Sequence, residues 1–302
     1  MEVYDLCLAW NWEYDDAFAG IMENTCRNKG LTLLQIRPDN LNENICALHN
    51  QQINFRAFFD RASEADSKFM PFVHWVREHN IFSINRYEKA SRACDKALMH
   101  PDLIHNGLYV PYTIILPSFQ EMPYLSPADL TPLGESFTIK PAHGSGGDGV
   151  MTRATDWDHV LQKRQEHPED KYLLQAHITP RKLDGRPAWF RVIYCSGKIY
   201  PYWWHTRNSV YIPVTRDEQN CYGLSSLHEA ASVIARISGL DLFSTEIAFT
   251  EEGLFVVIDY VNDPIDLRPR SKAVDGVPDE IVEDIANRLV ELAIARIQFI
   301  KI

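Results

Sequence analysis

Several things are scarce in this 302-residue chain, and each scarcity excludes a class of protein. No apolar run approaches the roughly 20 residues that span a bilayer, and the opening MEVYDLCLAWNWEYDD lacks a basic segment followed by a long apolar one. Neither membrane insertion nor export is expected. Short-spaced cysteine pairs are missing as well. The six cysteines at positions 7, 26, 46, 94, 195 and 221 are dispersed, without the spacing of zinc sites or the density of a disulfide scaffold, which predicts reduced thiols in a cytoplasmic protein. Positive charge is in deficit: 30 basic against 41 acidic side chains leave a net charge of −11, which argues against a sequence-independent grip on nucleic acid or an anionic membrane. Internal repeats and low-complexity segments are also lacking, which excludes a solenoid. A composition 45% hydrophobic and 24% charged is that of a globular protein, and the length suits two lobes.

Alternating apolar runs and helical patterns organise the first part of the chain. Residues 3–10 (VYDLCLAW), 31–38 (LTLLQIRP), 55–62 (FRAFFDRA) and 81–85 (IFSIN) read as strands; 15–29 and 67–80 read as helices. That order predicts a small, mostly parallel sheet with helices on its faces. A helix is expected over 87–100 (YEKASRACDKALMH), with Ala90, Ala93, Ala97 and Leu98 on one side and Lys96 beside them. Further strands are expected at YTIILP, FTIKP, YLLQAHI, AWFRVIYC, KIYPYWW, STEIAF and LFVVIDYV, with helices over 225–238 and from DEIVEDIANRLVELAIARIQFI, where Ile281, Ile285, Leu289 and Leu292 recur at helical spacing.

The richest chemistry lies in FTIKPAHGSGGDGV, residues 137–150, where an apolar strand delivers Lys140 beside a glycine-rich turn. Gly144, Gly146, Gly147 and Gly149 permit positive φ and let successive N–H groups approach a polyphosphate, while Ser145 adds a hydroxyl. A bare glycine-rich hairpin would look the same, so context decides.

That context resembles the ATP-grasp superfamily over roughly the C-terminal two-thirds of the chain. INRYEKASRACDKALMH followed by GLYVPYTIILP is similar to the family's lysine-bearing helix and the strand after it, with Lys96 in the matching place. FTIKPAHGSGGDGV is similar to the second lysine and the flexible lid, carrying over Lys140, Gly144, Ser145, Gly146, Gly147 and Gly149. YLLQAHI resembles the strand whose main chain reads the adenine edge, at Gln175, Ala176, His177 and Ile178. WFRVIYCSGKIY resembles the strand whose arginine approaches the terminal phosphates, here Arg191. STEIAFTEEGLFVVIDYVNDP resembles the paired strands that supply oxygen ligands to magnesium, making Glu246, Asp259 and Asn262 the ligand candidates, with Asp263 as an alternative. Because Asp259 and Asn262 are three apart, a regular strand would point them to opposite faces, so a bulge or ligation from the strand's end is required.

The resemblance implies an α/β chain with the ATP-grasp fold, two α+β subdomains gripping ATP, preceded by a small Rossmann-like domain. The expected division is 1–85 for that first domain and 86–302 for the ATP-grasp domain, with its subdomain boundary near 178. It further implies an ATP- and Mg2+-dependent ligase that phosphorylates a carboxylate and passes the acyl group to an amine, with amino acid or peptide type substrates, in the manner of glutathione synthetase or D-alanine ligase. A small-molecule kinase and a nucleotide-binding regulatory module stay open beside it. A homodimer is implied by the resemblance only. For catalysis the expectation rests on Arg191, Lys140 and Arg207, the last in PYWWHTRNS at 201–209 with Trp203, Trp204 and His205, where an arginine can clamp a substrate carboxylate. WNWEYDD at 10–16 and Arg268 and Arg270 of DLRPRS are further acceptor-side candidates, each equally readable as local packing or a solvated loop.

Overall fold

A computed structural model describes residues 1–144, 146–205 and 210–299. The first part alternates β1 (Glu2–Trp10), α1 (Asp16–Asn28), β2 (Leu33–Ile36), α2 (Leu41–His49), β3 (Ile53–Arg61), α3 (Met70–Glu78) and β4 (Phe82–Ile84). Its sheet runs in the order β2-β1-β3-β4 and every pairing is parallel, as the alternation predicts. Both faces are covered. α1 packs on one side through Phe18, Met22 and Cys26, and Phe69, Phe72 and Val73 pack on the other against Phe55 and Phe58. Such two-sided burial explains why these strands read as continuous apolar runs rather than alternating ones.

The helix expected over 87–100 is broken. α4 (Tyr87–Cys94) stops at Asp95, whose backbone is extended, and α5 (Lys96–His105) starts afresh. The Asp95 carboxylate accepts from the amides of Ala97 and Leu98, so a side-chain cap competes successfully with helix continuation. The break turns Leu98 outward, 42% exposed, and places Lys96 in the first turn of α5.

β5 (Thr113–Leu116), β6 (Phe137–Pro141), β7 (Met151–Ala154) and β8 (Tyr172–Ala176) form an antiparallel sheet in the order β5-β8-β6-β7, covered by α6 (Trp157–Lys163). A short hairpin of β9 (Lys182–Leu183) and β10 (Arg186–Pro187) leads into the last sheet. β11 (Trp189–Cys195), β12 (Lys198–Trp203), β13 (Ile212–Pro213), β14 (Leu242–Phe249) and β15 (Phe255–Asn262) are ordered β13-β12-β11-β14-β15, all antiparallel, with α7 (Arg216–Tyr222) and α8 (Ser225–Ser238) between β13 and β14. α8 covers one face of this sheet. α9 (Asp279–Phe299) covers the other and also packs on α1, its buried stripe being Val282, Ile285, Ala286, Leu289, Val290 and Ala293. This last helix therefore joins the parallel sheet to the final antiparallel one in a single core. Among the described residues no helix is long and apolar enough to cross a membrane.

Candidate functional site

The glycine-rich segment, the lysines and the acidic strands meet at one place. A cavity of about 780 Å³ lies between the antiparallel sheets, lined by Lys96, Lys140, Gly144, Gly146 and Gly147 at one end and by Gln175 to Ile178 at the other. It continues into a second cavity of about 790 Å³, bounded by Asn11, Trp12, Arg61 and Glu64 from the first lobe and by Arg191, Asn262 and Asp263 from the last sheet. Lys96, Gly144, Trp204, Glu246 and Asp259 border both.

Each cationic group is held by oxygen. Lys96 Nζ donates to the Gly144 carbonyl at 2.9 Å, while its backbone N–H donates to Ala142 O at 3.0 Å. Lys140, on the buried strand β6, donates to Ile258 O at 3.1 Å and lies 5.3 Å from the centre of the Tyr260 ring. Burial pushes its ammonium down to about 8, against the pull of nearby Asp259. Beneath it the Tyr260 hydroxyl accepts from Gln175 Nε2 at 2.8 Å and meets His100 Nδ1 at 2.6 Å. Burial holds His100 low, at about 4, so the imidazole is neutral where it meets the phenol. The Gln175 side chain is thus committed inward, to Tyr260 and to Thr113 Oγ1.

The acidic strands solve the spacing problem by bulging. Ser244 faces Asn262 and Glu246 faces Asp259, so two residues of β14 span three of β15; a second shift follows between Glu246 and Ile247. These irregularities bring Asp259 and Asn262 to the same cavity despite their separation of three. Asp259 Oδ1 and Asn262 Nδ2 are buried without a hydrogen-bond partner. Glu246 accepts from Trp189 Nε1 at 3.0 Å and pairs with Arg191 at 3.4 Å. Burial raises its carboxyl and Asp259 adds to the rise, whereas Arg191 opposes it. Two facing carboxylates, one with a buried unpaired oxygen, beside an amide make an oxygen-rich donor set suited to a hard divalent cation that keeps several waters. Among the described residues no group of three His, Cys, Asp or Glu side chains is arranged to hold a metal, so Asn262 or water has to complete the set. Arg191 itself is braced: Nε and Nη2 donate to Ser244 Oγ at 3.2 and 3.0 Å, and its guanidinium lies 4.8 Å from the Trp204 ring centre.

Most predicted positions therefore converge. Ser145 and Arg207 lie outside the described residues. Gly149 sits at the foot of the loop with φ 67°, a conformation that favours glycine, and a Cβ there would meet the His167 ring at 2.8 Å and force it to shift. In WNWEYDD, Trp10 is core and bonds Gln35, whereas Asn11, Trp12 and Asp15 border the second cavity. Trp203 is core, and Trp204 is the tryptophan of its pair that lines the site. Arg268 is neutralised by Asp266 and Asp275 and lies against Trp12 and Tyr14; Arg270 bonds the Tyr211 carbonyl.

Sequence reading missed Arg61 and His143. Arg61 ends β3 and forms a buried two-pronged pair with Asp15 at 2.9 and 2.7 Å, and it also donates to Ile265 O at 2.9 Å, clamping the first lobe to the loop after β15. A charged residue closing an apolar parallel strand is the signal, since ligands gather at the carboxyl ends of such strands. His143 lies inside the glycine segment and bonds Asp170 through its backbone N–H (2.8 Å) and its ring (3.0 Å).

No protein-family model matches the sequence, and no curated protein does. Solved structures match across nearly the whole chain. One is a RimK domain ATP-grasp protein from Sphaerobacter thermophilus, 16% identical with a TM-score of 0.66 over 95% of this chain and 99% of that one. Another is D-alanine–D-alanine ligase from Bacillus anthracis complexed with ATP, 12% identical with a TM-score of 0.66 over 98% of each chain. A third is the ATP-grasp ligase PsnB complexed with a minimal precursor, Mg and ADP, 12% identical with a TM-score of 0.64 over 97% of this chain and 98% of that one. At these identities the likeness is one of fold, and the fold is ATP-grasp.

Proposed function

On the premise of an ATP-grasp fold, we propose that this chain is an ATP- and Mg2+-dependent ligase that joins a carboxylate to an amine through an acylphosphate, releasing ADP and phosphate. The observation that carries the reading is the convergence of Lys96, Lys140, the glycine loop, Arg191 and the Glu246–Asp259 pair on two cavities that open into each other. Nucleotide and metal in the structures of similar fold support it, as ATP accompanies D-alanine–D-alanine ligase and Mg with ADP accompanies PsnB.

In this reading the stretch from Gln175 to Ile178 holds the adenine edge through main-chain groups, and Lys96, Lys140 and the amides of Gly144, Gly146, Gly147 and Gly149 hold the phosphates. Asp259, Glu246 and Asn262 hold Mg2+, which supplies charge neutralisation on the phosphate oxygens. Arg191 stabilises negative charge that builds on the transferred phosphoryl group and the acyl oxygen, a role of positioning and electrostatics that needs no enzyme nucleophile. The loop covers the acylphosphate against water. Ser145 and Arg207 keep the loop and carboxylate-clamp roles that their sequence places suggest. Residues 1–85 supply the acceptor wall and 86–302 the nucleotide grip, with the subdomain boundary near 178.

The test incubates purified protein with Mg2+, ATP and pooled amino acids and identifies products by mass. An amide formed only when donor and acceptor are both present, with stoichiometric ADP, is expected. A stable phosphorylated product of a single compound would replace the ligase with a kinase, and nucleotide binding without ADP across the pool would leave a binding module.

A further inference from the structure

An acyl transfer to nitrogen needs an unprotonated amine, and near neutral pH an amino group is mostly ammonium. The second cavity has one imidazole on its lining among the described residues, that of His143. We propose that His143, oriented by Asp170, is the general base that takes the proton from the acceptor amine. The assignment rests on the ligase reading.

The geometry supplies the parts of an oriented base. Asp170 Oδ2 accepts the His143 backbone N–H at 2.8 Å and Oδ1 lies 3.0 Å from ring Nδ1, so one carboxylate fixes both main chain and ring. Placing the ring proton on Nδ1 leaves the Nε2 lone pair available, which is how a carboxylate sets the tautomer of a catalytic histidine. The side chain is 57% exposed, which lets an acceptor reach it, while Asp170 is largely buried. Nε2 lies 3.8 Å from Asp95 Oδ2, so a proton gained there is stabilised by two carboxylates. Asp170, the N-cap Asp95 and Lys96 of α5, and Glu64 beyond β3 are the charged groups facing this ring, and their balance holds its pKa above 6.5, with the Asp170 hydrogen bond the largest cause. Of the other groups on this cavity, burial pushes the Cys94 thiol up to about 12 and Lys96 donates to Gly144 O, while Glu64 and Asp263 are carboxylates that burial raises, Asp263 to about 7, so the variant test has to separate His143 from them.

The step balances. The ammonium loses one proton to His143 Nε2, the freed nitrogen lone pair forms the C–N bond, and the acyl C–O bond to phosphorus breaks with its electron pair leaving on phosphate. The second nitrogen proton goes to that phosphate, and the imidazolium returns its proton to water.

Hydroxylamine separates this role from the rest of catalysis, because it is mostly unprotonated at neutral pH and attacks acylphosphates without a base. Wild type and His143→Asn are given Mg2+, ATP and pooled amino acids, with and without hydroxylamine, and amides and hydroxamates are counted. In the variant the ratio of amide to hydroxamate should fall on the order of 100-fold, within the usual contribution of a general base, and the amide-forming rate should lose the inflection set by His143 and follow the free-amine fraction instead. In Asp170→Asn that inflection should move to lower pH. Equal loss of both products in His143→Asn, or a raised KM for ATP with an unchanged ratio, makes His143 a mere brace of the loop and overturns the assignment alone. Wild type forming neither product overturns the ligase reading beneath it.

Discussion

Lys140 offers the sharpest test, because if it holds phosphate as proposed, its burial makes a proton count part of nucleotide binding. The residue is 8% exposed, and its ammonium is held at about 8 rather than 10.5. At pH 8.5 a group of that pKa is about three-quarters neutral, and at pH 7 only about one-tenth. A polyphosphate docking on the ammonium restores full protonation, so binding should take up about 0.75 proton per nucleotide at pH 8.5 and about 0.1 at pH 7. Calorimetric titrations in two buffers of different ionisation enthalpy read this directly, and Lys140→Met should abolish the uptake. No difference between buffers at pH 8.5 would refute the placement of Lys140 against phosphate.

The same shift sets a stability effect whose sign can be worked out. A lysine whose folded pKa lies below its unfolded value binds fewer protons in the folded state, so stability rises with pH between about 8 and 10.5, and the penalty is complete below 8. That penalty is on the order of 3 kcal/mol. The attraction of Asp259 and Glu246 is already counted in that shift, so Lys140→Met removes the penalty and loses only the Ile258 hydrogen bond, about 1 kcal/mol. A net gain of about 2 kcal/mol, seen as a melting temperature several degrees higher at pH 7 in protein with weakened nucleotide affinity, is expected. A lower melting temperature with intact binding would show that the lysine is structural.

Three further outcomes test other parts of the site. Asp259→Asn should raise the Mg2+ concentration for half-maximal turnover on the order of 10- to 100-fold; unchanged metal dependence would move ligation to Asp263. Arg61→Met leaves Asp15 buried and uncompensated, so denaturant titration should show a loss of about 3–5 kcal/mol, largely recovered by adding Asp15→Leu; a loss under about 1 kcal/mol would refute the clamp between lobe and loop. Gly149→Ala forces a Cβ against the His167 ring at a φ of 67°, and equilibrium binding should show weaker nucleotide affinity, about 5- to 30-fold for roughly 1–2 kcal/mol of strain; unchanged affinity would free the loop from this constraint.

What was legible in the sequence follows from range. The parallel sheet was readable because both its faces are buried and its strands are bounded by turn signals, and α8 begins and ends where its pattern does, at Ser225 and Ser238. The break at Asp95 was not, because it is decided by one side chain choosing two amides over solvent within a good helical pattern. α2, α6 and α7 also escaped the reading; α6 and α7, at seven residues each, are too short for a strong period. In the site, Lys140 and the glycines were legible as contiguous residues. Asp15–Arg61 and His143–Asp170 join positions 46 and 27 apart, and no local pattern encodes such pairs. The Asp259–Asn262 spacing was legible as a conflict with strand alternation, and the bulges of β15 are its resolution.

The two lysines rest on carbonyl oxygens, and their partners decide what each does when a stronger acceptor arrives. A phosphate oxygen carries more charge than a carbonyl and forms the stronger charge-assisted bond, so in the proposed nucleotide site both ammonium groups would exchange toward it. For Lys140 the partner released is Ile258 O on β15, whose place is fixed by pairing with β14, and the exchange alters affinity with little motion. For Lys96 the partner released is Gly144 O, at the root of the glycine loop, while the bond from its backbone N–H to Ala142 O keeps the strand end docked on α5. The carbonyl that would be released belongs to a glycine with φ 122°, just beyond that fixed anchor. In the proposed nucleotide site, affinity would accordingly draw on both lysines, whereas any coupling of binding to movement of the loop would run through Lys96.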